Sequence, residues 1–395
     1  MNDFRRSPPA AANMPTSHAP PPQPGLIFAD SARQPDLLYL TGLFSEDPFL
    51  WFSVNGQQFL AIAAMELGRA RRTLPETIEV LSFKQAREAW NMEDKPAAPA
   101  AYIVAAARHF SVAKWHVPAD FPLSLSLALQ AQEIAVEPVE VFCPQRKIKT
   151  AVEIEQIESG VRLAEQGLQC GLDILRQSRI DSHDWLRWHD RPLTAELLRG
   201  EINAEIVRHG GLVSRTIVAP GRQSADPHET GSGPIPARQP LVLDIFPRIE
   251  ASGYHGDLTR TVVRGHAEDT VSQAFAAVAA AQEVAIAMIK PGVDPSVVHR
   301  RAADILEDHG FASGEKEGVP YGFFHGLGHG LGLELHEQPR LSHSNQKPLE
   351  QGDVITVEPG LYYPEWGGVR LEDVVVVTDG GNRNLTAAPI ILEIV

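Results

Sequence analysis

VITVEPGLYYPEWGGVRLEDVVVV, residues 354–377, carries two glutamates, Glu358 and Glu372, each in or beside a run of β-branched residues. Such runs read as strands, and the Gly-rich connection between them folds the pair back on itself as a hairpin. A lone carboxylate is badly placed there, because a buried charge is costly unless it is paired or bound to a cation. A salt bridge to Arg370 accounts for one glutamate and leaves the other unexplained.

Two upstream stretches pose the same problem. In LVLDIFPRIEASGYHGDLTRT, residues 241–261, Asp244 sits inside an apolar strand and Asp257 begins the next one after a Gly-containing turn. In FFHGLGHGLGLELHEQP, residues 323–339, His325, His329 and His336 lie among closely spaced glycines, which let backbone approach a crowded polar site. Taken singly, each aspartate reads as a turn or capping residue and each histidine as a surface residue. Together, four carboxylates and a histidine are the ligand set of a site for two divalent cations. Two ions about 3.5–4 Å apart share a hydroxide and sharpen it as a nucleophile near neutral pH.

Around these stretches the pattern is that of an α+β domain. Residues 148–175, 193–207, 270–289 and 294–310 have apolar positions at helical spacing, and LVLDIF, LTRTVVRG, VITVEPG, EDVVVVTD and IILEIV read as strands. This domain spans residues 146–395. Residues 26–145 mix strands (LLYLTGL, WFSVNG, QQFLAIAA, TIEVLSF, AAYIVAA, VEVFCP) with helical pieces (MELGRARR, ADFPLSLSLALQAQ), which predicts a smaller α/β domain. Residues 1–25, rich in Pro and Ala with few large apolar side chains, read as a flexible tail.

The chain has 395 residues and a formal net charge of −15, a balance that argues against a nucleic-acid binder. No run approaches the roughly 18 apolar residues of a membrane span, and the start has no apolar signal region. Two cysteines, Cys143 and Cys170, form no CxxC and suit a reducing cytoplasm.

GLGHGLGLELHEQP, VEPGLYYPEWGGVRLED and the Asp244/Asp257 pair resemble the signature of metallopeptidase family M24, the creatinase/aminopeptidase type with the pita-bread fold. The resemblance covers residues 145–395. The preceding domain resembles the amino domain of the Xaa-Pro aminopeptidase, prolidase and creatinase branch. It implies that Asp257 and Glu372 bridge two divalent ions (Mn2+ first, with Co2+, Zn2+ or Fe2+ as alternatives), that Asp244 holds one ion, and that His329 and Glu358 hold the other. It further implies that Glu358 shuttles protons, that His325 and His336 hydrogen-bond the tetrahedral intermediate, that His228 lines the substrate side, and that Arg370 orients the last ligand. The implied activity is hydrolysis of the N-terminal Xaa-Pro bond of small peptides through a metal-bridging hydroxide, by an Xaa-Pro aminopeptidase or dipeptidase working as a homodimer.

The alternatives are a creatinase-like C–N hydrolase, which works without the metal pair, and a non-catalytic peptide-binding member. Both sit poorly with five retained ligands. Asp244 and Asp257 stand further apart than in common members, which predicts a longer connection around Pro247–Gly253. His255 is expected to be exposed rather than ligating, and His299, His309 and His343 to lie on helix or loop surfaces.

Overall fold

The computed structural model describes residues 23–93 and 97–395. It divides into two compact units, one ending at Arg146 and the other beginning at Lys147. The expected Pro-rich tail lies, up to residue 22, outside the described residues.

In the first unit β1 (Gly25–Ala29), β2 (Phe49–Val54), β3 (Gln57–Ile62), β4 (Ile78–Ser82), β5 (Lys114–Pro118) and β6 (Ala135–Val139) form one mixed sheet, in the order β4-β3-β2-β1-β5-β6. Phe52 stacks on Phe59 with ring centroids 4.9 Å apart, and Trp90, Phe110 and Trp115 pack around Phe52. The helices are α1 (Pro35–Thr41), α2 (Leu67–Thr73), α3 (Phe83–Ala89), α4 (Pro99–His109) and α5 (Leu123–Gln130).

Two of the expected strands are helices. LLYLTGL lies largely in α1, where Pro35 opens the first turn, Gln34 caps it and Gly42 ends it at φ 59°. AAYIVAA lies in α4, again opened by a proline, and its alanines favour a helix over the short β-branched pair Ile103–Val104. The strand assigned to VEVFCP forms four residues earlier, as β6, and shares only Val139 with that stretch. That strand is at the sheet edge, where Pro138 forfeits no ladder bond it needs.

In the second unit the helices are α6 (Ala151–Gln177), α7 (Ala195–Arg208), α8 (Asp269–Met288) and α9 (Pro295–Asp308). A capping box between Thr150 and Glu153 starts α6. The strands that build the site are, in chain order, β7 (Ile217–Pro220), β8 (Leu241–Asp244), β9 (Thr259–Arg264), β10 (Gly328–Gly330), β11 (Glu337–Leu341), β12 (Val354–Val357), β13 (Gly360–Tyr363), β14 (Gly367–Arg370), β15 (Asp373–Thr378), β16 (Gly381–Asn384) and β17 (Glu393–Ile394). One sheet runs β7-β8-β9-β17 and another β11-β10-β12-β15-β16, with β13 and β14 paired as a hairpin between β12 and β15.

Leu168, Leu172, Leu198 and Ile202 of α6 and α7 share a core with Leu241 and Leu243 of β8. Val278, Ala281, Val298 and Ala302 of α8 and α9 share another with Ile355, Val357, Val375 and Val377 of β12 and β15. Side chains alternate along a strand, so the same register turns Asp244 and Glu358 away from the helices. By length and composition α8 matches a membrane span, contrary to expectation, but Val271, Ala274, Ala277, Val278, Ala281 and Ala285 are buried in this core.

The long connection after Asp244 is a hairpin turn. The Ile249 amide donates to the Tyr254 carbonyl (2.8 Å), and Arg248–Ile249 pairs with Gly211–Leu212. The turn returns the chain against α6, where Gly160 and Gly256 touch. A Cβ on Gly256 would lie 2.0 Å from the Gly160 carbonyl carbon.

Candidate metal centre

Asp244 closes β8 opposite Thr259 of β9, and Asp257 lies two residues ahead of that strand. Glu358 follows β12 and Glu372 precedes β15, whose pairing of Val357 with Asp373 sets the two glutamates side by side. His329 is the middle residue of β10, and its amide donates to Thr356 Oγ1 of β12 (3.1 Å). Glu372 ties the two sheets together, its amide donating to the Thr259 carbonyl and its Oε2 accepting from the Thr259 hydroxyl (2.8 Å).

One donor atom each from Asp257, His329 and Glu372 lie within 4.8 Å of one another, and all three residues are buried. His329 Nε2 is 3.7 Å from Asp257 Oδ2 and 3.5 Å from Glu358 Oε1. Its Nδ1 lies 3.0 Å from the Gly330 carbonyl, which can only accept, so Nδ1 carries the proton. Burial pushes the imidazole down to about 3, so it is neutral. The bare Nε2 lone pair therefore faces the carboxyl oxygens of Asp257 and Glu358.

Burial also holds Asp257 and Glu372 well above the usual carboxylate range, with neighbouring carboxylates adding to the shift, and pushes Glu358 up to about 7. Arg370, which reaches Asp244, is already engaged: Nη2 donates to Asp244 Oδ2 (2.7 Å), Nη1 to the Tyr362 hydroxyl (2.9 Å) and Nε to Thr259 Oγ1 (3.2 Å). Asp244 Oδ1 is buried with no hydrogen-bond partner among the described residues. Facing acceptors, raised carboxyls and an orphaned oxygen are what a divalent cation would satisfy, so these residues fit a metal.

All nine expected residues line one open cavity of about 940 Å3: Asp244, Asp257, His329, Glu358, Glu372, His228, His325, His336 and Arg370. His228 and His336 are exposed into it, and His336 meets His329 edge-on at 4.4 Å.

His325 departs from its expected role. Its Nδ1 faces the Gly326 carbonyl (2.7 Å), so Nε2 accepts from the Tyr362 hydroxyl (3.0 Å) and no N–H is left to donate to an intermediate. His255 is not exposed. It is packed behind the site, its backbone amide donates to the Gly332 carbonyl (2.8 Å), and burial pushes the ring down to about 4. His299 is half-buried, stacked on Phe323 with Nε2 3.2 Å from the His325 carbonyl, whereas His309 and His343 are exposed.

Sequence reading missed Tyr362 and Arg340. Tyr362 is a fully buried link between Arg370 and His325 that no acid or histidine pattern marks. Arg340 lines the cavity with no carboxylate ion pair among the described residues, and its only signal is a cation four residues after His336.

The sequence profile of metallopeptidase family M24 matches residues 157–379. The chain belongs to metallopeptidase family M24. An Xaa-Pro dipeptidase of Pyrococcus furiosus is 33% identical over 247 residues, which are 62% of this chain and 65% of that one. The match covers 63–65% of the first three curated relatives' own lengths, under two-thirds of each. Among solved structures, the prolidase of Pyrococcus horikoshii OT3 superposes with a TM-score of 0.76 at 24% identity, covering 93% of this chain and 95% of that one. An X-Pro aminopeptidase from Thermotoga maritima superposes at 0.77 and 23% identity, covering 94% and 98%. At such identity these likenesses speak for the fold. Like those family members, this chain has a pita-bread C-terminal unit preceded by a smaller α/β unit.

Proposed function

We propose that the protein is a dinuclear metal-dependent exopeptidase that hydrolyses the N-terminal Xaa-Pro bond of short peptides, with Xaa-Pro dipeptides as its main substrates. The observation that carries the reading is the neutral His329, whose Nε2 lone pair faces Asp257 and Glu358 inside a cavity large enough for a short peptide. Asp257, His329 and Glu372, with Glu358 and Asp244, are the residues that would hold two divalent ions, Mn2+ being the first candidate. Bound there, such ions supply Lewis acidity and a water acidic enough to attack at neutral pH.

The chain's own groups do the rest. Glu358, whose Oε1 lies 3.5 Å from His329 Nε2 and which lines the cavity, is placed to take a proton from the attacking water and pass it to the leaving nitrogen. His336 opens on the cavity and donates to the carbonyl oxygen as charge develops there. His228 lies on the same exposed wall. His325 and Tyr362 hold Arg370, and through it Asp244, in place. Phe246, Ile217, Leu335 and Phe324 give the cavity an apolar wall against which a proline ring packs. The unpaired Arg340 favours dipeptides, because a free C-terminal carboxylate close to the scissile bond would pair with it.

Free Cys143 and Cys170 support a reducing compartment such as the cytoplasm. A homodimer is the expected assembly, and light scattering tests it. The deciding assay gives metal-depleted protein Mn2+, Co2+, Zn2+ or Fe2+ with Ala-Pro, Ala-Pro-amide and Ala-Pro-Ala. Hydrolysis of Ala-Pro above the other two is expected. No turnover with any metal, and none bound by elemental analysis, sinks the reading.

A further inference from the structure

The segment that carries His336 has almost no regular structure of its own. Between β10 and β11 the chain crosses residues 331–336 with few backbone bonds: the Leu331 amide to the Val354 carbonyl, the Gly332 amide to the Glu334 carbonyl, and the His255 amide to the Gly332 carbonyl. Glu337 organises it. Its Oε1 accepts the Glu334 amide (3.0 Å), and its Oε2 accepts from Lys149 Nζ (2.8 Å). Both side chains of this ion pair are buried, at 1% exposure for Lys149 and 6% for Glu337. Gly332 makes room for the carboxylate, since a Cβ there would lie 2.7 Å from Glu337 Oε2. Lys149 is anchored in turn, its amide donating to the Gly352 carbonyl (2.8 Å) just ahead of β12.

A buried pair serving stability alone has no reason to grip a loop. Here the acid sits directly after His336, templates the turn that presents it, and is clamped by a lysine 188 positions away. We infer that Lys149 and Glu337 are positioning residues that hold the 331–336 turn so that His336 faces the substrate carbonyl. The inference rests on the peptidase reading, which gives His336 its task. Neither residue touches substrate, so the pair governs turnover rather than substrate affinity.

The test uses full-length protein. Glu337→Gln and Lys149→Met are expected to lower kcat by about 10–100-fold, with KM and Mn2+ affinity within about twofold of the parent. Because either single change strands a buried charge, the double Lys149→Met/Glu337→Gln chain, which strands none, is made alongside and is expected to show the same kcat loss with a near-parental melting temperature. In a His336→Ala background, Glu337→Gln should cost nothing further, because two residues acting through one group are not additive. A full additional loss overturns the inference. A second readout needs no metal and no substrate: amide exchange across residues 331–337 of metal-free protein should quicken in Glu337→Gln and stay unchanged in His336→Ala. Unchanged exchange in Glu337→Gln overturns the inference even if the parent cleaves no Xaa-Pro peptide, a result that would count against the peptidase reading alone.

Discussion

At the scale of single residues, the site is a set of carboxylates kept in apolar surroundings against their own preference. Glu358 has its carboxyl raised from 4.5 to about 7, mainly by burial, and Asp257 and Glu372 are raised as well. A raised carboxyl contributes stability that is full below its unfolded value and lost as pH climbs through its folded value. Metal-free protein should therefore lose melting temperature between about pH 4.5 and 7 through Glu358, with Asp257 and Glu372 acting in the same direction. Cation binding needs them ionised, so the gain in melting temperature on adding Mn2+ should be larger at pH 8 than at pH 5.5. Equal gains at both pH values, measured by thermal shift, would contradict this. Replacing one ligand, as in Asp257→Asn or Glu372→Gln, should remove several kcal/mol of transition-state stabilisation, about a thousandfold in kcat/KM, with loss of bound metal by elemental analysis. Arg340→Ala should raise KM for Ala-Pro by about tenfold or more, the worth of a charge-assisted hydrogen bond, and leave Ala-Pro-amide nearly unaffected. A uniform change on both substrates would remove Arg340 from carboxylate recognition.

At the scale of elements, the candidate ligands are held by contacts from parts of the chain far from them in sequence. Arg260 of β9 donates to the carbonyls of Thr259, Glu372, Ala388 and Pro389 and to Asp373 Oδ1, so one buried guanidinium fixes the backbone of Glu372. Arg260→Met strands Asp373 and empties several carbonyls, which should cost about 3–5 kcal/mol in chemical denaturation. The turn ahead of Asp257 rests on α6 through glycines. A Cβ on Gly160 would lie 2.6 Å from the Gly256 amide nitrogen. Gly160→Ala gains helix propensity but overpacks this contact, and the net expectation is about 1–3 kcal/mol of destabilisation with weakened Mn2+ binding, read by denaturation and metal titration. A stabilised variant with parental metal affinity would show that the turn yields freely.

At the scale of the whole molecule, each unit has its own core: Phe52, Phe59, Trp90 and Trp115 in the first, and the two helix-on-sheet clusters in the second. A compact unit with its own core is able to fold alone. Calorimetry of the full chain should resolve two transitions, with chelation lowering only the one that belongs to the second unit. Cation at 100 times its dissociation constant adds about 2.7 kcal/mol to that unit. A chelator that moved both transitions equally would mean the chain melts as one.

The α+β class of the second unit, its long helices and its five candidate ligands were legible from residues alone. Amphipathic periodicity and acids stranded in β-branched runs are local signals, written wherever a strand or helix buries one face. In the first unit LLYLTGL and AAYIVAA were misread because Leu, Tyr and Ala suit either state, and a proline opening the first turn decided for helix. Tertiary structure alone decided that neither nitrogen of His325 is free, that His255 and His299 are packed in, that Tyr362 joins Arg370 to His325, and that Lys149 reaches Glu337. Most of those facts depend on contacts between residues 26 to 188 positions apart, and no local pattern records them. The residues of Glu358 and Glu372 announce a cation. The lone pair of His329 is set by the adjacent Gly330 carbonyl, but Asp257 and Glu358 come to face it only when β10 pairs into the folded sheet.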